Sequence, residues 1–429
     1  MSQKSPADIA AGCIRCGFCL DACPTFKLTA NEAESPRGRI YLMRHLLDGG
    51  RAMDAAALAH LDNCLGCRAC EAVCPSGVRY GSLIEGFRAR IEEEGLRPAA
   101  EVGARGMLLD TLTDRSRLGA SLTGLSMVAG ILRKAPAMPG LFARLLTGGQ
   151  SDEAAVPLSG TGRSGGRLPA FTPAVGKARR TVCLLDGCVM SVLFAEVNRV
   201  TAELLSRCGC NVVCPRSAGC CGALDAHAGR RERARERARA LIDALEGADY
   251  DALVTNSAGC GSTLREYGEL LADDDRYAAR AAALATRTRD ISEYLVDLGV
   301  EPPTGRLDVT VAYHDACHLA HAQRVTSPPR ALLRSIPGLK LVPLAESDLC
   351  CGSAGTYNVT HPETATALLD RKVANIIASG APVVAAGNPG CIAWMREGLA
   401  RAGSTIRVAH TVELLAEAYR RGASPYGKA

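Results

Sequence analysis

Aromatic residues are scarce in this chain of 429 residues: they make up 4% of it, with a single Trp. Base-stacking surfaces for single-stranded nucleic acid need several aromatic side chains, so such a surface is not expected. The net charge of +5 comes from 50 basic and 45 acidic residues spread along the chain. This balance is too even for the basic face of a nucleic-acid-binding protein. The composition therefore predicts no nucleic-acid partner.

Long apolar runs are also missing. The longest uncharged helical segment, residues 118–132, has 15 residues and contains Gly and Ser. A membrane-spanning helix needs about 17–25 mostly apolar residues. The first residues, MSQKSPADIAAGC, have no apolar core of a secretory signal. We therefore expect a soluble or peripheral protein in the reducing cytosol, whose thiols serve as metal ligands rather than disulfides.

Motifs that bind nucleotide cofactors are absent from the predicted strand–helix junctions. The glycines closest to such a motif, Gly162 and Gly165, lie in a Gly/Ser-rich segment, and there is no Walker loop. No HExxH metalloprotease motif occurs. The sequence thus predicts no flavin on this chain.

Cysteine, in contrast, is abundant, and eight of the 20 cysteines form two identical C-x2-C-x2-C-x3-C-P arrays. Three thiolates at two-residue spacing can face one cluster, while the x3 step and the proline turn the fourth toward a neighbouring cluster. Two zinc sites are the alternative, but zinc is normally bound by two separate cysteine pairs. The arrays therefore predict two [4Fe–4S] clusters with exchanged fourth ligands. Cluster 1 takes Cys13, Cys16, Cys19 and Cys74, and cluster 2 takes Cys64, Cys67, Cys70 and Cys23.

Helices are predicted around both arrays. Ser35 is a suitable N-cap, Pro36 suits the first helical position, and Gly49 ends the helix. After the second array, one helical face carries Leu83, Ile84, Phe87 and Ile91. This pattern favours a helical ferredoxin-like domain over a compact βαβ-type ferredoxin.

The C-terminal half contains an internal repeat. In its two copies, 31 and 32 residues separate a lone cysteine from a Cys-Cys pair, and 38 and 39 residues separate the pair from a last cysteine. Short apolar runs precede these cysteines, which predicts small α/β units with thiols at strand ends. Repeat 1 carries Cys188, Cys220, Cys221 and Cys260, and repeat 2 carries Cys317, Cys350, Cys351 and Cys391.

Each Cys-Cys pair is followed by a glycine, Gly222 or Gly352. A glycine allows the turn that brings two adjacent thiols to one centre. Buried structural thiols are the alternative, since free cysteine is commonly buried. A metal centre in each repeat is therefore a hypothesis. Four cysteines without a repeat counterpart are predicted to be core residues or to have no specific role: Cys183, Cys208, Cys210 and Cys214.

Three histidines lie near the lone cysteine of repeat 2: His314, His318 and His321. On a helix, their spacing can present two imidazoles to one metal or to a quinone. Structural hydrogen bonds are the alternative and the commoner use of such histidines. The Arg-rich segment 229–240 alternates charges at helical spacing and is predicted to be a solvated helix face.

The predicted fold class is α plus α/β, with four segments. The first is the helical ferredoxin-like domain, and the second combines a helical connector with a Gly/Ser/Pro-rich linker at 147–173. The last two are the cysteine-rich repeats. Their predicted bounds are 1–96, 97–175, 176–305 and 306–429.

The segments CIRCGFCLDACP, ESPRGRIYL, CLGCRACEAVCP, GCCGAL, CCGSAGTY and HTVELL together resemble the iron–sulfur subunit of glycolate oxidase, also called glycolate dehydrogenase. The resemblance implies an electron-transfer subunit that works with two flavin-type subunits and does not oxidise glycolate alone. It implies that electrons from glycolate, which becomes glyoxylate, pass to a quinone-type respiratory acceptor other than oxygen. A peripheral position on the cytoplasmic face of the inner membrane follows from that role.

Related heterodisulfide-reductase repeats end in CxxC, whereas Ser257 and Asn388 stand at the first position of that pair here. Their five-thiolate clusters are therefore not expected in this chain. Three other functions stay open. They are a relay for lactate or glycerol 3-phosphate oxidation, a heterodisulfide-reductase-type catalytic subunit, and a zinc-stabilised scaffold.

Overall fold

The computed structural model describes residues 5–49, 53–132 and 167–422. In the described part of the first 132 residues, all regular elements are helical, as the sequence predicts. The elements are α1 (Pro6–Ala11), α2 (Pro24–Thr29), a 3-10 turn (Glu32–Glu34), α3 (Pro36–Leu47), α4 (Ala55–Asp62), α5 (Ala69–Ala72), α6 (Tyr80–Glu93), α7 (Ala99–Thr113) and α8 (Arg115–Leu132).

Helix α3 confirms the predicted start and end signals between the arrays. The Ser35 Oγ accepts a hydrogen bond from the Gly38 N–H at 3.0 Å, and Pro36 occupies the first turn. The helix ends just before Gly49, whose φ is +71°. In α6, the four predicted apolar residues are buried in the core of this domain. The first array lies between α1 and α2, and the second lies between α4 and α6 and includes α5.

Repeat 1 forms a five-stranded sheet in the order β1-β3-β2-β4-β5, parallel except for β1. The predicted apolar runs form its central strands. Its strands are β1 (Phe171–Thr172), β2 (Arg180–Leu184), β3 (Cys210–Val213), β4 (Ala252–Thr255) and β5 (Thr288–Asp290). Its helices are α9 (Val189–Leu193), α10 (Ala195–Arg207), α11 (Ala223–His227), α12 (Arg231–Leu245), α13 (Ala258–Arg265), α14 (Tyr267–Leu270), α15 (Ala278–Arg287) and α16 (Ile291–Asp297).

Repeat 2 forms a parallel sheet in the order β7-β6-β8-β9. Its strands are β6 (Thr310–His314), β7 (Lys340–Val342), β8 (Val383–Ala386) and β9 (Arg407–His410). Besides a π-helical turn (His318–Ala322), its helices are α17 (Ser327–Arg334), α18 (Tyr357–Thr360), α19 (Pro362–Ala378), α20 (Pro389–Arg401) and α21 (Thr411–Arg421). In both repeats the last cysteine lies on the helix that follows the second central strand.

The predicted linker at 147–173 is too long at its C-terminal end. Phe171 and Thr172 form β1, which pairs antiparallel with Val213 and Val212 of β3. The Cys214 N–H also donates to the Ala170 carbonyl at 2.9 Å. These bonds order a Pro-containing segment that composition alone assigned to a linker. Residues 133–166, which hold the rest of it and the end of the predicted connector, lie outside the described residues.

One hydrophobic core joins the two repeats. It contains Val182 and Leu184 of β2 together with Val311 of β6 and Val384 of β8. The last described helix, α21, packs against α10 of repeat 1. The two repeats are thus held at a fixed relative position, with their cysteine loops at the carboxyl ends of the sheets.

None of the helices in the described ranges is long and apolar enough to cross a membrane. Helix α12 confirms the predicted charged face. Arg235 pairs with Asp273 at 2.6 Å, and Arg239 pairs with Asp274 at 2.8 Å. The four cysteines without a repeat counterpart are buried, as predicted.

Candidate iron–sulfur and metal centres

The first cysteine array occupies the loop between α1 and α2. Cys13, Cys16 and Cys19 line one pocket, and Cys74 of the second array lines the same pocket. Burial raises the pKa of Cys19 to about 11, and the neighbouring Cys13 adds to this rise. Cys70 lines this pocket as well, so five cysteines from the two arrays surround one small space. The four that the spacing assigns to cluster 1 are among them, and this ligand set stays a prediction.

The pocket of the first array opens to solvent. Cys16 is exposed, and next to it Ile14 is 69% and Phe18 is 68% exposed. Arg15 lies over the ring of Tyr41, which is itself 49% exposed, at 4.8 Å. The first array is thus bordered by an apolar, solvent-facing edge.

The second array is enclosed. Cys64, Cys67 and Cys70 are buried, and so is Cys23, which caps α2 at the end of the first array. Burial raises the pKa of Cys67 and Cys70 well above the ordinary thiol value, and both thiols interact with Cys23. Cys23 therefore lies near Cys67 and Cys70 of the second array and also near Cys19 of its own array.

A buried cation that the sequence analysis missed lies beside the second array. The Arg39 guanidinium is almost fully buried and pairs with Glu34 at 2.5 Å. Although burial opposes its charge, nearby Tyr80, Cys64 and Cys23 raise the pKa of Arg39. The Tyr80 hydroxyl also donates to the Cys64 Sγ at 3.6 Å. Its position in the sequence, one helical turn after the Ser35 cap, could have pointed to it.

The four cysteines of repeat 1 lie next to one another along the chain of contacts described here. The thiols of Cys188 and Cys220 are in hydrogen-bonding contact, and those of Cys221 and Cys260 are in contact on the other side of the pair. Gly222 has a φ of +79°, the left-handed conformation that turns the pair. These contacts connect all four thiols into one chain.

Repeat 2 repeats this arrangement. Cys350 contacts Cys317, and Cys351 contacts Cys391. Contacts with Cys350 and Cys391 lower the pKa of the Cys351 thiol, whereas the pKa values of those two partners are raised. Gly352 has a φ of +91°. One thiol of the set is therefore favoured as a thiolate, the form that binds metal.

The three histidines do not lie on one helix. Strand β6 ends at His314, and the other two lie on a separate π-helical turn. The His318 Nε2 donates to the Gly66 carbonyl at 3.0 Å, and the His321 Nε2 donates to the Asp348 carbonyl at 3.0 Å. These two histidines make structural hydrogen bonds, which was the alternative. His314 alone lies among the cysteines.

Repeat 2 lies directly against the second array. Cys67 interacts with Cys317, and both lie in a small apolar cluster with Leu65 and Cys350. The bond from His318 to the Gly66 carbonyl joins the two loops. Burial, with a contribution from His227, lowers the pKa of His318 to about 3, so its imidazole is neutral at this contact. The second array is thus continuous with the thiols of repeat 2.

Comparison with known proteins agrees with this arrangement. Residues 9–78 match the family model of a 4Fe-4S dicluster domain, and residues 182–265 and 311–396 each match that of a cysteine-rich domain. Fold and site thus define an iron–sulfur protein with one dicluster domain and two cysteine-rich domains.

Full-length relatives narrow this class. The chain is 38% identical over 414 residues to a probable glycolate oxidase iron-sulfur subunit of Bacillus subtilis, covering 95% of this chain and 93% of that one. It is 35% identical to the glycolate oxidase iron-sulfur subunit of Escherichia coli, covering 96% and 95%. Lactate utilization protein A of Shouchella clausii is 34% identical over 54% of this chain and 98% of its own length. The chain belongs to the family of glycolate oxidase iron–sulfur subunits.

Proposed function

We propose that this chain is the electron-transfer subunit of a flavin-dependent glycolate dehydrogenase. In this role it receives electrons from glycolate oxidation to glyoxylate and passes them to a quinone-type respiratory acceptor. The observation that carries the proposal is that the two cysteine arrays and the thiols of repeat 2 adjoin one another from the surface inward. An open array borders solvent, and it shares cysteines with an enclosed array that adjoins repeat 2.

Two [4Fe–4S] clusters, held by the eight N-terminal cysteines as assigned above, supply one-electron steps between a two-electron flavin and its acceptor. The protein supplies two crossed sets of four thiolates, since Cys74 joins the first array and Cys23 the second. Arg39 places a buried positive charge beside the second set and offsets part of its negative charge. Burial of Cys64, Cys67 and Cys70 keeps water from cluster 2.

The flavins belong to two partner subunits in this proposal, and this chain holds none. The exposed edge formed by Ile14 and Phe18 supports docking of a flavin-type subunit next to cluster 1. Exposed apolar side chains of this size at a redox centre are typical of a protein interface. Electrons would then arrive at cluster 1 and continue to cluster 2.

The acceptor is proposed to approach the other side of the second array. A polar cleft there is lined by Ala72 and Lys27 of the N-terminal domain and by His321, Arg324 and Arg330 of repeat 2. Its position between the second array and repeat 2 supports an acceptor or a membrane-bound partner at this place. The protein would work peripherally on the cytoplasmic face of the inner membrane.

A relay for lactate oxidation is the second candidate. It is favoured by the 34% identity to a lactate utilization protein A over 54% of this chain. The contacts of a relay subunit with its clusters are the same for both substrates. Only the flavin-bearing partner would distinguish them.

The test is electron transfer in the whole complex, purified anaerobically with its partner subunits. We expect glycolate to reduce both clusters and the isolated chain to show no glycolate oxidation. Cys19→Ser should remove cluster 1 and stop this reduction, whereas Cys208→Ser, a core thiol, is the control. Reduction by lactate but not glycolate would favour the second candidate.

Two other results would contradict the relay function altogether. Reduction of a disulfide by the isolated chain would indicate a catalytic thiol reductase. A colourless protein that contains zinc but no iron would indicate a scaffold. A further metal centre in the cysteine-rich repeats is a separate proposal.

A further inference from the structure

Repeat 2 contains three buried side chains arranged for a single metal ion. A ring nitrogen of His314 and the Sγ atoms of Cys351 and Cys391 all lie within 4.8 Å of one another. Among the residues that the structure describes, these three alone form such a group. Ligands about 2.0–2.3 Å from a tetrahedral zinc ion lie roughly 3.5 Å apart, so a small adjustment closes the group around one ion.

His314 is 0% exposed, and its ring lies close enough to Cys351 to help lower the pKa of that thiol. Neither ring nitrogen makes a hydrogen bond of ordinary geometry in the described structure. A buried polar group without a partner destabilises the fold, so it is normally avoided or paired. A metal ion would satisfy one of these nitrogens.

The same position in repeat 1 is apolar. In both repeats an aspartate lies two residues before the lone cysteine. The residue just before this aspartate is Leu185 in repeat 1 and His314 in repeat 2. Leu185 is buried in the hydrophobic core beside Cys183 and Cys221. The imidazole is thus specific to repeat 2, although the cysteines are common to both.

A buried cation also distinguishes repeat 2. Lys372 on α19 is 1% exposed, and its ammonium group donates to the carbonyls of Glu346 and Ser347. It interacts with the thiols of Cys351 and Cys350. A positive charge at this place stabilises thiolates, which are the metal-binding form of cysteine.

The corresponding residue of repeat 1 follows from the packing of the two glycines. Gly222 packs on Ala234 and Gly352 packs on Ala365, so these alanines are equivalent. Seven residues further along each helix stand Leu241 and Lys372. Repeat 1 therefore has a leucine at both positions where repeat 2 has a nitrogen-bearing side chain.

We propose that repeat 2 binds one zinc ion through His314, Cys351 and Cys391, and that repeat 1 does not. Cys350 or Cys317 supplies the fourth ligand, since both thiols continue the same contact chain. Mixed nitrogen and thiolate ligands in a tetrahedral arrangement are typical of zinc. Zinc has no redox chemistry, so this ion is structural. It is independent of the relay function.

The role of the ion is to fix the cysteine loop of repeat 2 against the second array. Cys317 interacts with Cys67, and the adjacent His318 bonds to the Gly66 carbonyl at 3.0 Å. Both contacts come from the loop that follows His314. An ion at this place would therefore hold the surroundings of cluster 2 in one geometry without carrying electrons itself.

The test uses the full chain with its clusters, purified anaerobically, and measures zinc, iron and sulfide in the same sample. We expect one zinc per chain in addition to the cluster iron. After removal of this zinc, Co²⁺ as a probe should produce the absorption of a cobalt–thiolate site. His314→Leu, which installs the residue of repeat 1, should weaken Co²⁺ binding by at least about tenfold.

Matched variants separate loss of the site from loss of the fold. Cys391→Ala should lose the ion, whereas Cys260→Ala, the equivalent change in repeat 1, should keep it. His314→Cys should restore binding because it returns a ligand. Unchanged Co²⁺ binding by both His314→Leu and Cys391→Ala would overturn the proposal, as would extra iron and sulfide in place of zinc. The iron and sulfide content of the N-terminal arrays is measured in the same sample and tests the relay function separately from the zinc site.

Discussion

The two cysteine-rich repeats have the same backbone plan and the same four cysteines, but the surroundings of these cysteines differ. Leu185 and Leu241 make the neighbourhood apolar in repeat 1, whereas His314 and Lys372 make it polar in repeat 2. The cysteine pattern alone therefore does not determine the chemistry of a repeat. Buried residues that contact the thiols decide which copy can hold an ion.

Their positions relative to the arrays differ as well. Repeat 2 contacts the second array through Cys317. Repeat 1 contacts the N-terminal domain through α11, where the His227 Nδ1 and the Glu85 carboxylate are 2.7 Å apart. Only repeat 2 thus places a thiol beside a cluster ligand in the described structure. Changes to the two copies are expected to have unequal effects.

The largest effect is expected for Lys372→Met. This change leaves buried thiolates without their cation and should lower the free energy of unfolding by about 3 kcal/mol. Chemical denaturation of the anaerobic protein measures it, with Leu241→Met as the matched change in repeat 1, expected to cost less than about 1.5 kcal/mol. After zinc removal the thiols can protonate, so the difference should become smaller. If both variants lowered the free energy of unfolding equally, the proposed difference between the two repeats would be wrong.

Replacing the turn glycines should give the next largest effect. A Cβ at Gly352 would lie 2.5 Å from the Ala365 carbonyl oxygen, but one at Gly222 would lie 3.1 Å from that of Ala234. Both positions have positive φ, which costs an alanine about 1–2 kcal/mol. We expect Gly352→Ala to cost about 2–3 kcal/mol and Gly222→Ala about 1–2 kcal/mol, measured by thermal unfolding. The reverse order would contradict the tighter packing in repeat 2.

Electron transfer should distinguish the lone cysteines. Cys317→Ala removes a thiol next to Cys67 and should slow reduction of the acceptor by about tenfold, or about 1.4 kcal/mol. Cys188→Ala has no such neighbour and should change the rate less than about twofold. Stopped-flow reduction of the complex measures both rates. If both variants transfer electrons at the wild-type rate, the contact with the second array has no functional role.

The smallest effect concerns the helix caps after the last strand of each sheet. Burial raises the pKa of Asp290 to about 6 in repeat 1, and it lowers the pKa of His410 in repeat 2. A carboxyl group with a raised pKa stabilises the fold fully at pH values below the pKa it has in the unfolded chain. This contribution is lost as the pH rises through about 6. The lowered His410 pKa acts oppositely, since its contribution is lost as the pH falls.

Asp290→Asn tests this difference. The wild-type protein should gain about 1 kcal/mol from this residue between pH 7 and pH 5, and the variant should lack that gain. Because the Asn side chain can still accept a hydrogen bond from the Ser292 N–H, the cap itself is kept. Denaturation curves at the two pH values measure the gain. An unchanged pH dependence would show that Asp290 does not titrate in this range.

Much of the fold could be predicted because its signals are local. The spacing of the arrays and the Ser35 cap each depend on a few neighbouring residues, and the duplicated cysteines are visible as matched spacings in the sequence. The grouping of His314 with Cys391 could not be predicted, because it depends on how two parallel strands align. The contact of Lys372 with the thiols could not be predicted from the sequence either, since it depends on how α19 packs. Spacing alone could not decide the role of His318 either, because β6 ends before the turn that carries it.

The packing of α21 on repeat 1 has a consequence for synthesis. Helix α10 presents Val197 and Val200 to the core, and α21 contributes Val412 and Leu415 to the same core. A ribosome makes the α10 segment more than 200 residues before α21. Repeat 1 therefore cannot bury this face until residues 411–421 have left the exit tunnel. A nascent chain stalled before α21 would expose an apolar surface that chaperones recognise.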